Sequence, residues 1–389
     1  MTDPPPPAVK LGDIAEQAGL RRIHILAWRD LDDVEAGGSE VHADQVARRW
    51  AAAGIDVTMR TSHAQGQLPT GMRHGYRVER RSGRHLVFPD VALSGLLGGL
   101  GPRDALLEVW NGMPFFTPLW ARGPRVTFIH HVHAQMWRQA LTPGLARIGE
   151  AVELRIAPIL YHRSRILTPS ESSRREIVEH LRIRPDRVSA VPNGVDPRFT
   201  PGAERSPHPL VIAVGRLVPH KRIPALLDAL AVVHERHRDL EAAIIGDGYE
   251  RAALESAAHE RGMESWVRFT GHVDDEALLE WCRRAWLLVS ASGAEGWGMT
   301  ITEAAACGTP AVVTRIAGHV DAVADGYSGL LADTPADLAP KITRVLDDAA
   351  LRARLGQGAV AHAGQFTWDR TALEILRVLA DEALRHRRR

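Results

Sequence analysis

Cysteine and lysine are scarce in this chain of 389 residues: there are two of the first and three of the second. Cys282 and Cys307 stand in apolar, helix-like contexts, too few and too far apart for a disulfide framework or zinc-ligand spacing, and read as buried thiols. Net charge is also missing. With 48 basic residues against 47 acidic ones, the global basic field of a nucleic-acid binder is excluded. The longest apolar run, Val91 to Gly101, is broken by glycines and falls short of the roughly 20 residues a membrane-spanning helix needs. Met1–Pro7 is proline-rich and lacks a basic start followed by an apolar stretch, so it does not read as a secretory signal, and a cytoplasmic location is expected. No Gly-x-Gly-x-x-Gly follows a strand, since Gly246-Asp-Gly248 lacks the third glycine, and there is no Gly-x4-Gly-Lys-Ser/Thr. Dinucleotide and P-loop readings are thereby excluded.

What is present is a long alternation of short apolar runs and helix-period segments, the pattern of an α/β protein with parallel sheets. In the first half Ile23–Trp28, Ile55–Arg60, Val126–Ile129 and Arg165–Thr168 read as strands, with a helix over Ser39–Ala53. Ser173 and Glu176 stand at capping-box spacing for a helix after Thr168. The stretch from Asn193 to Pro209 is rich in proline, glycine and asparagine and reads as a linker. The alternation then restarts with strands Leu210–Val214, Ala242–Ile245, Val267–Phe269 and Trp286–Ser290 and helices over 224–236, 250–261, 275–284 and 300–307. Two domains follow, 1–204 and 205–370, with a final helix over 371–389 rejoining the first.

Three glycine-bearing loops carry the chemistry. Glu295-Gly-Trp-Gly-Met-Thr-Ile-Thr-Glu303 follows a strand and opens a helix whose free amides at Gly298, Met299 and Thr300 suit an anion such as phosphate. Thr300 and Glu303 also have capping-box spacing, which leaves a purely structural role for Glu303 open. Gly215-Arg216 to Lys221 places two cations on a strand-to-helix loop, fit for a diphosphate or for plain solvation. Ala36-Gly-Gly-Ser-Glu40 joins the opening strand to the next helix, as a phosphate approach or an ordinary turn. His130, His131 and His133 follow a strand without a carboxylate or cysteine nearby in sequence, so no metal site is expected there. Asp30-Leu-Asp32 has an Asp-x-Asp form but reads as a solvated loop.

Taken in order, these residues resemble the retaining glycosyltransferases of family 4. Gly37-Gly-Ser-Glu40, Val191-Pro-Asn-Gly-Val-Asp196, Gly215-Arg216 to Lys221, Gly246-Asp-Gly248, Phe269-Thr-Gly-His-Val273 and Glu295-x7-Glu303 carry the resemblance, which spans nearly the whole chain. It implies the GT-B fold, two facing Rossmann-like domains with a cleft between them, and transfer from a nucleotide-diphosphate sugar to an acceptor hydroxyl. It implies no cofactor and no metal. By the same resemblance Arg216 and Lys221 hold the diphosphate with the amides of Gly298 to Thr300, Glu303 takes the ribose and Glu295 the sugar. The backbone near His272 and Val273 takes the base, Gly38 closes the phosphate site, and His130, or His131 beside it, stands near the sugar. A nucleotide-sugar epimerase and a silent binding homologue are the alternatives. The donor base, UDP or GDP, and the acceptor are left open. Finally, Arg73, Arg77, Arg80, Arg81 and Arg84, with the arginine excess over 121–187, raise the expectation of peripheral contact with an anionic membrane.

Overall fold

The structure, a computed structural model, describes residues 10–388 apart from Gln65, Gln135, Leu141 and Ala203. The N-terminal prolines and Arg389, the last residue of the basic tail, lie outside the described residues. The chain divides into two compact units, Met1–Pro192 with Trp368–Arg389, and Asn193–Thr367.

The first unit holds β1 (Arg22–Leu26), β2 (Asp56–Thr61), β3 (Thr70–Arg73), β4 (Tyr76–Arg80), β5 (Ala105–Trp110), β6 (Arg125–Ile129), β7 (Arg165–Thr168) and β8 (Val188–Ala190). Their order is β3-β4-β2-β1-β5-β6-β7-β8. Every pairing is parallel except that of β3 with β4, which forms the outer edge. Parallel strands need covered faces, which explains runs such as Ile23–Leu26 that are buried throughout. The helix Gly38–Ala52 and the C-terminal helix Trp368–Arg387 supply one cover, and the Trp50 indole donates to the Ala372 carbonyl at 3.0 Å.

The second unit holds β9 (Leu210–Val214), β10 (Glu241–Ile245), β11 (Val267–Gly271), β12 (Leu287–Ser290), β13 (Ala311–Thr314) and β14 (Gly329–Ala332), in the order β11-β10-β9-β12-β13-β14, all parallel. Val211 and Ala213 enter the core on one face of this sheet, Leu210 and Ile212 the core on the other. The strand order is that of a doubly wound nucleotide-binding fold, with the reversal between β9 and β12; ligands of such sheets bind beyond the strand ends at that point.

Four expectations from the sequence need revision. The unit boundary lies at Pro192/Asn193 rather than 204/205, and the return at Thr367/Trp368. The turn-rich stretch between is stitched onto the second unit: Val195 donates to the Phe366 carbonyl at 3.1 Å, Phe199 is buried in the second core, and Arg205 donates to the Gly308 carbonyl at 2.6 Å. The helix after β7 is capped by Ser170, whose hydroxyl accepts from the Ser173 amide at 3.0 Å, so Ser173 lies inside the helix Glu171–His180. Asp30-Leu-Asp32 is not a solvated loop. Asp30 is buried and accepts two hydrogen bonds from Arg80, at 2.6 and 3.0 Å, while Asp32 pairs with Arg80 at 2.6 Å and with Arg73. Burial opposes ionisation of Asp30, but the Arg80 guanidinium and the Asp32 amide outweigh it and hold the carboxyl below its ordinary range. The arginine cluster over 73–84 consequently loses most of its free charge, because Arg84 also pairs with Asp33 and Glu35, both at 2.7 Å.

Candidate active site

The loops that follow β9 and β12 meet where the strand order reverses. After β9 the chain turns through Gly215 and Arg216, makes a short 3-10 turn over Pro219–Lys221 and enters the helix Ile223–Arg236. That turn folds Lys221 back under Gly215. After β12 the loop Ala291–Gly298 leads into the helix Met299–Ala306. Lys221 Nζ and Glu295 Oε1 lie 2.5 Å apart and join the two loops, and the Ser292 hydroxyl donates to the same carboxylate oxygen at 3.0 Å. The recess beside them is lined by Gly215, Arg216, Lys221, Ser290 and Ser292.

Electrostatics fix the charge state of this pair. Burial pushes the Glu295 carboxyl up, but the Lys221 ammonium, with smaller help from His319, overrides it and holds the group at about 2. Glu295 is therefore an anion already neutralised by a cation. Arg216 is exposed and makes no ion pair with a described residue, so its guanidinium is available to a ligand.

The helix start is built by Gly298, whose φ of 111° lies in the left-handed region and lets the chain enter the helix directly. Met299 and Thr300 occupy its first turn, which leaves their amides without intrahelical acceptors. The Thr300 hydroxyl reaches the Val214 carbonyl at 3.5 Å, which seats this helix start beside the end of β9. Glu303 does not cap the helix: the N-cap is Gly298, two residues before the start of the Thr300–Glu303 capping-box frame. Burial first, then Asp275 and Asp196, push its carboxyl up to about 7, against Arg198.

Backbone packing continues the site along the strand ends. Gly246 adopts φ 127°, and a Cβ there would collide with the Gly215 carbonyl; one at Gly248 would collide with that of Leu217. The Gly246-Asp-Gly248 pair thus lets the loop after β10 lie flush against the Arg216 turn. Gly246 donates to the Gly271 carbonyl at 2.9 Å, which brings the end of β11, followed by His272 and half-buried Val273, into the same row.

Several supporting residues escaped the sequence reading. Thr314, at the end of β13, donates to the Ser292 carbonyl at 2.6 Å. The buried His319 ring has Nδ1 at 2.9 Å from the Thr314 carbonyl, so that nitrogen carries the proton. Burial depresses His319 to about 4, which keeps it neutral. Gly318 packs against the backbone of Glu295 to Trp297, and Arg222 covers Gly293. The signal for these lies in Ala317-Gly-His-Val-Asp321, a glycine and histidine after a strand, whose role depends on contacts distant in sequence.

In the first unit, Gly38 opens its helix and Glu40 accepts from the Gly37 amide and the Ser39 hydroxyl, both at 2.8 Å, while pairing with Arg29 at 3.2 Å. His130 is buried at the end of β6, edge-on to His42 with ring centroids 5.0 Å apart, and its Nε2 has no partner among the described residues. Burial, then His131 and His133, depress it to about 3. His131 is half-buried and stacked on His133 at 4.2 Å, the more accessible ring of the two. No group of three metal-ligating side chains occurs among the described residues.

Comparison with known proteins gives the family and the fold. The family description "Glycosyl transferases group 1" matches residues 198–362, and "Glycosyltransferase Family 4" matches residues 36–199. A D-inositol 3-phosphate glycosyltransferase of Acidothermus cellulolyticus is 32% identical, over 91% of this chain and 87% of its own. One from Thermomonospora curvata is 30% identical over 88% and 90%. Among solved structures, sucrose-phosphate synthase of Thermosynechococcus elongatus superposes with a TM-score of 0.77 at 19% identity, covering 91% of this chain and 97% of that one. Anabaena HepE in complex with UDP and glucose gives 0.73 at 20%, covering 93% and 100%. The fold is GT-B, and the chain belongs to the glycosyltransferases of group 1 and family 4.

Proposed function

We propose that this glycosyltransferase takes a nucleotide-diphosphate sugar, needs no metal ion, and transfers the sugar to an acceptor hydroxyl with retention of anomeric configuration. The observation that carries the reading is the Lys221–Glu295 pair beside the exposed Arg216 and the helix start at Gly298–Thr300. Negative charge grows on the diphosphate as the sugar leaves, and fixed cations and amides stabilise it without reorganisation. Arg216 would hold the diphosphate through its forked donors and Lys221 as a point charge. Glu295, fixed by Lys221 and Ser292, would accept hydrogen bonds from the sugar hydroxyls. Glu303 would accept from the ribose, and the backbone at Val273 would meet the base.

Metal independence rests on the donor set: the recess offers cations and amides to a phosphate, and its carboxylate is already paired. Retention rests on the resemblance to the retaining family; with Glu295 committed to Lys221, the acceptor would attack on the face the diphosphate leaves and a departing phosphate oxygen would take its proton, with no covalent intermediate on Glu295. Phosphorylated inositol, named in the activity of the relatives, is the first acceptor to assay. The test is transfer from UDP- and GDP-sugars to that acceptor in excess EDTA, with the product anomer read by NMR. Transfer that persists with an anomer matching the donor supports the reading; an inverted anomer, a strict divalent requirement, or conversion of donor without any acceptor overturns it.

A further inference from the structure

Nine of the seventeen large apolar side chains exposed among the described residues lie on one part of the first unit. The helix Val87–Leu96 and its flanks turn Leu86, Leu93, Leu96 and Leu97 outward, a stripe at helical spacing. The helical run from Pro143 to Tyr161 does the same with Leu145, Ile148, Ile156 and Ile159. Between them the short helix Thr117–Trp120 packs against both Val87–Leu96 and Ala157–Tyr161, and it exposes Leu119. Gly95 lets the first helix sit flush on the Trp120 indole, since a Cβ there would fall inside the ring. Each of the nine is 47–77% exposed, far beyond the scattered single residues of an ordinary surface.

Arginine rims this face. Arg122, Arg147, Arg155 and Arg163 are exposed and form no ion pair with a described residue. The acidic groups of the same segments are already engaged or few: Glu150 accepts from Arg138 at 2.6 and 3.1 Å, and Glu153 is buried under the His133 and Ala134 amides. Asp90 alone remains. Apolar stripes bordered by unpaired arginine match the headgroup and acyl layers of an anionic bilayer. A second copy of the chain, by contrast, would cover these arginines with a patch that offers only Asp90 to pair them.

We propose that this face of the first unit docks on an anionic lipid surface, with the leucine and isoleucine stripes inserted and the arginines at the headgroups. The inference is independent of the donor chemistry. The full chain is sedimented with vesicles of phosphatidylglycerol and phosphatidylcholine, and with phosphatidylcholine alone, in moderate salt. Binding is expected to the first and not the second. The variant R147E/R155E/R163E should lower the partition coefficient at least about a hundredfold, each arginine being worth roughly fivefold at such a surface. L96S/L97S/I159S should release the protein as well, with melting temperature unchanged in both variants as the check of folding. Failure of the parent chain to bind anionic vesicles, undiminished binding by the arginine variant, or a solution dimer dissociated by L96S/L97S/I159S in place of vesicle binding would each overturn the proposal.

Discussion

Replacing Lys221 by alanine acts on two quantities that the structure keeps separate. It removes a point charge from the proposed diphosphate site, and it strands a carboxylate whose charge that lysine neutralises. The gap between the ordinary 4.5 of Glu295 and its value of about 2 corresponds to about 3 kcal/mol, most of it owed to Lys221. The group's folded pKa lies below its unfolded one, so the stabilisation is fully present above pH 4.5 and is lost as pH falls towards 2. At pH 7 Lys221→Ala should therefore destabilise the second unit by about 2–3 kcal/mol, a fall of roughly 5–10 °C in its melting transition by calorimetry. Loss of one preorganised partner of the leaving group should also lower transfer by a factor of about 10²–10³. The double variant K221Q/E295Q separates the two effects: with both charges gone it should recover most of the melting temperature and none of the turnover. Turnover within a few-fold of the parent in Lys221→Ala would refute the assignment, and an unchanged melting temperature would refute the buried pairing.

Glu303 titrates in the opposite sense. Its carboxyl is pushed up to about 7, so the fold loses stability as pH rises from 4.5 to about 7. Glu303→Gln should melt higher than the parent at pH 8 and equally at pH 5. If the carboxylate accepts from the ribose, UDP affinity should rise more steeply between pH 6 and 8 in the parent than in Glu303→Gln, where only the terminal phosphate of UDP titrates; matching profiles would remove Glu303 from the site. Gly246→Ala meets both a φ of 127° and the Gly215 carbonyl, so calorimetry should show a lower melting temperature and weaker UDP binding, and parent-like values would contradict the close packing of the two loops.

The strand and helix alternation was legible because each element carries its own local signal. Leu210–Val214 and Arg165–Thr168 are buried except for half-buried Val214 and Arg165 at one end of each, and both form strands over those residues. The motifs of the candidate site were legible for a related reason, since each lies on a loop that directly follows a strand. The helix start at Gly298 is one example, the Lys221 turn another. What escaped the sequence depends on contacts distant along the chain. Asp30 looks solvated until Arg80, fifty residues away, closes on it. Asn193–Pro209 has linker composition, yet Arg205 binds it to the backbone at Gly308. The support of Glu295 by Thr314 and His319 exists only once β12 and β13 pair. The capping-box frame of Thr300–Glu303 was misleading because Gly298 starts the helix earlier on backbone conformation alone.

Calorimetric titration of UDP and GDP into the parent chain and into Lys221→Ala, in EDTA and again in excess magnesium, addresses the donor site most directly, because a bound ligand needs no acceptor to be seen. One nucleoside diphosphate should bind the parent with the same affinity in both buffers and about a hundredfold more weakly in the variant. Binding that appears only with magnesium, or that ignores the loss of Lys221, would contradict a diphosphate site built from this chain's own cations and amides.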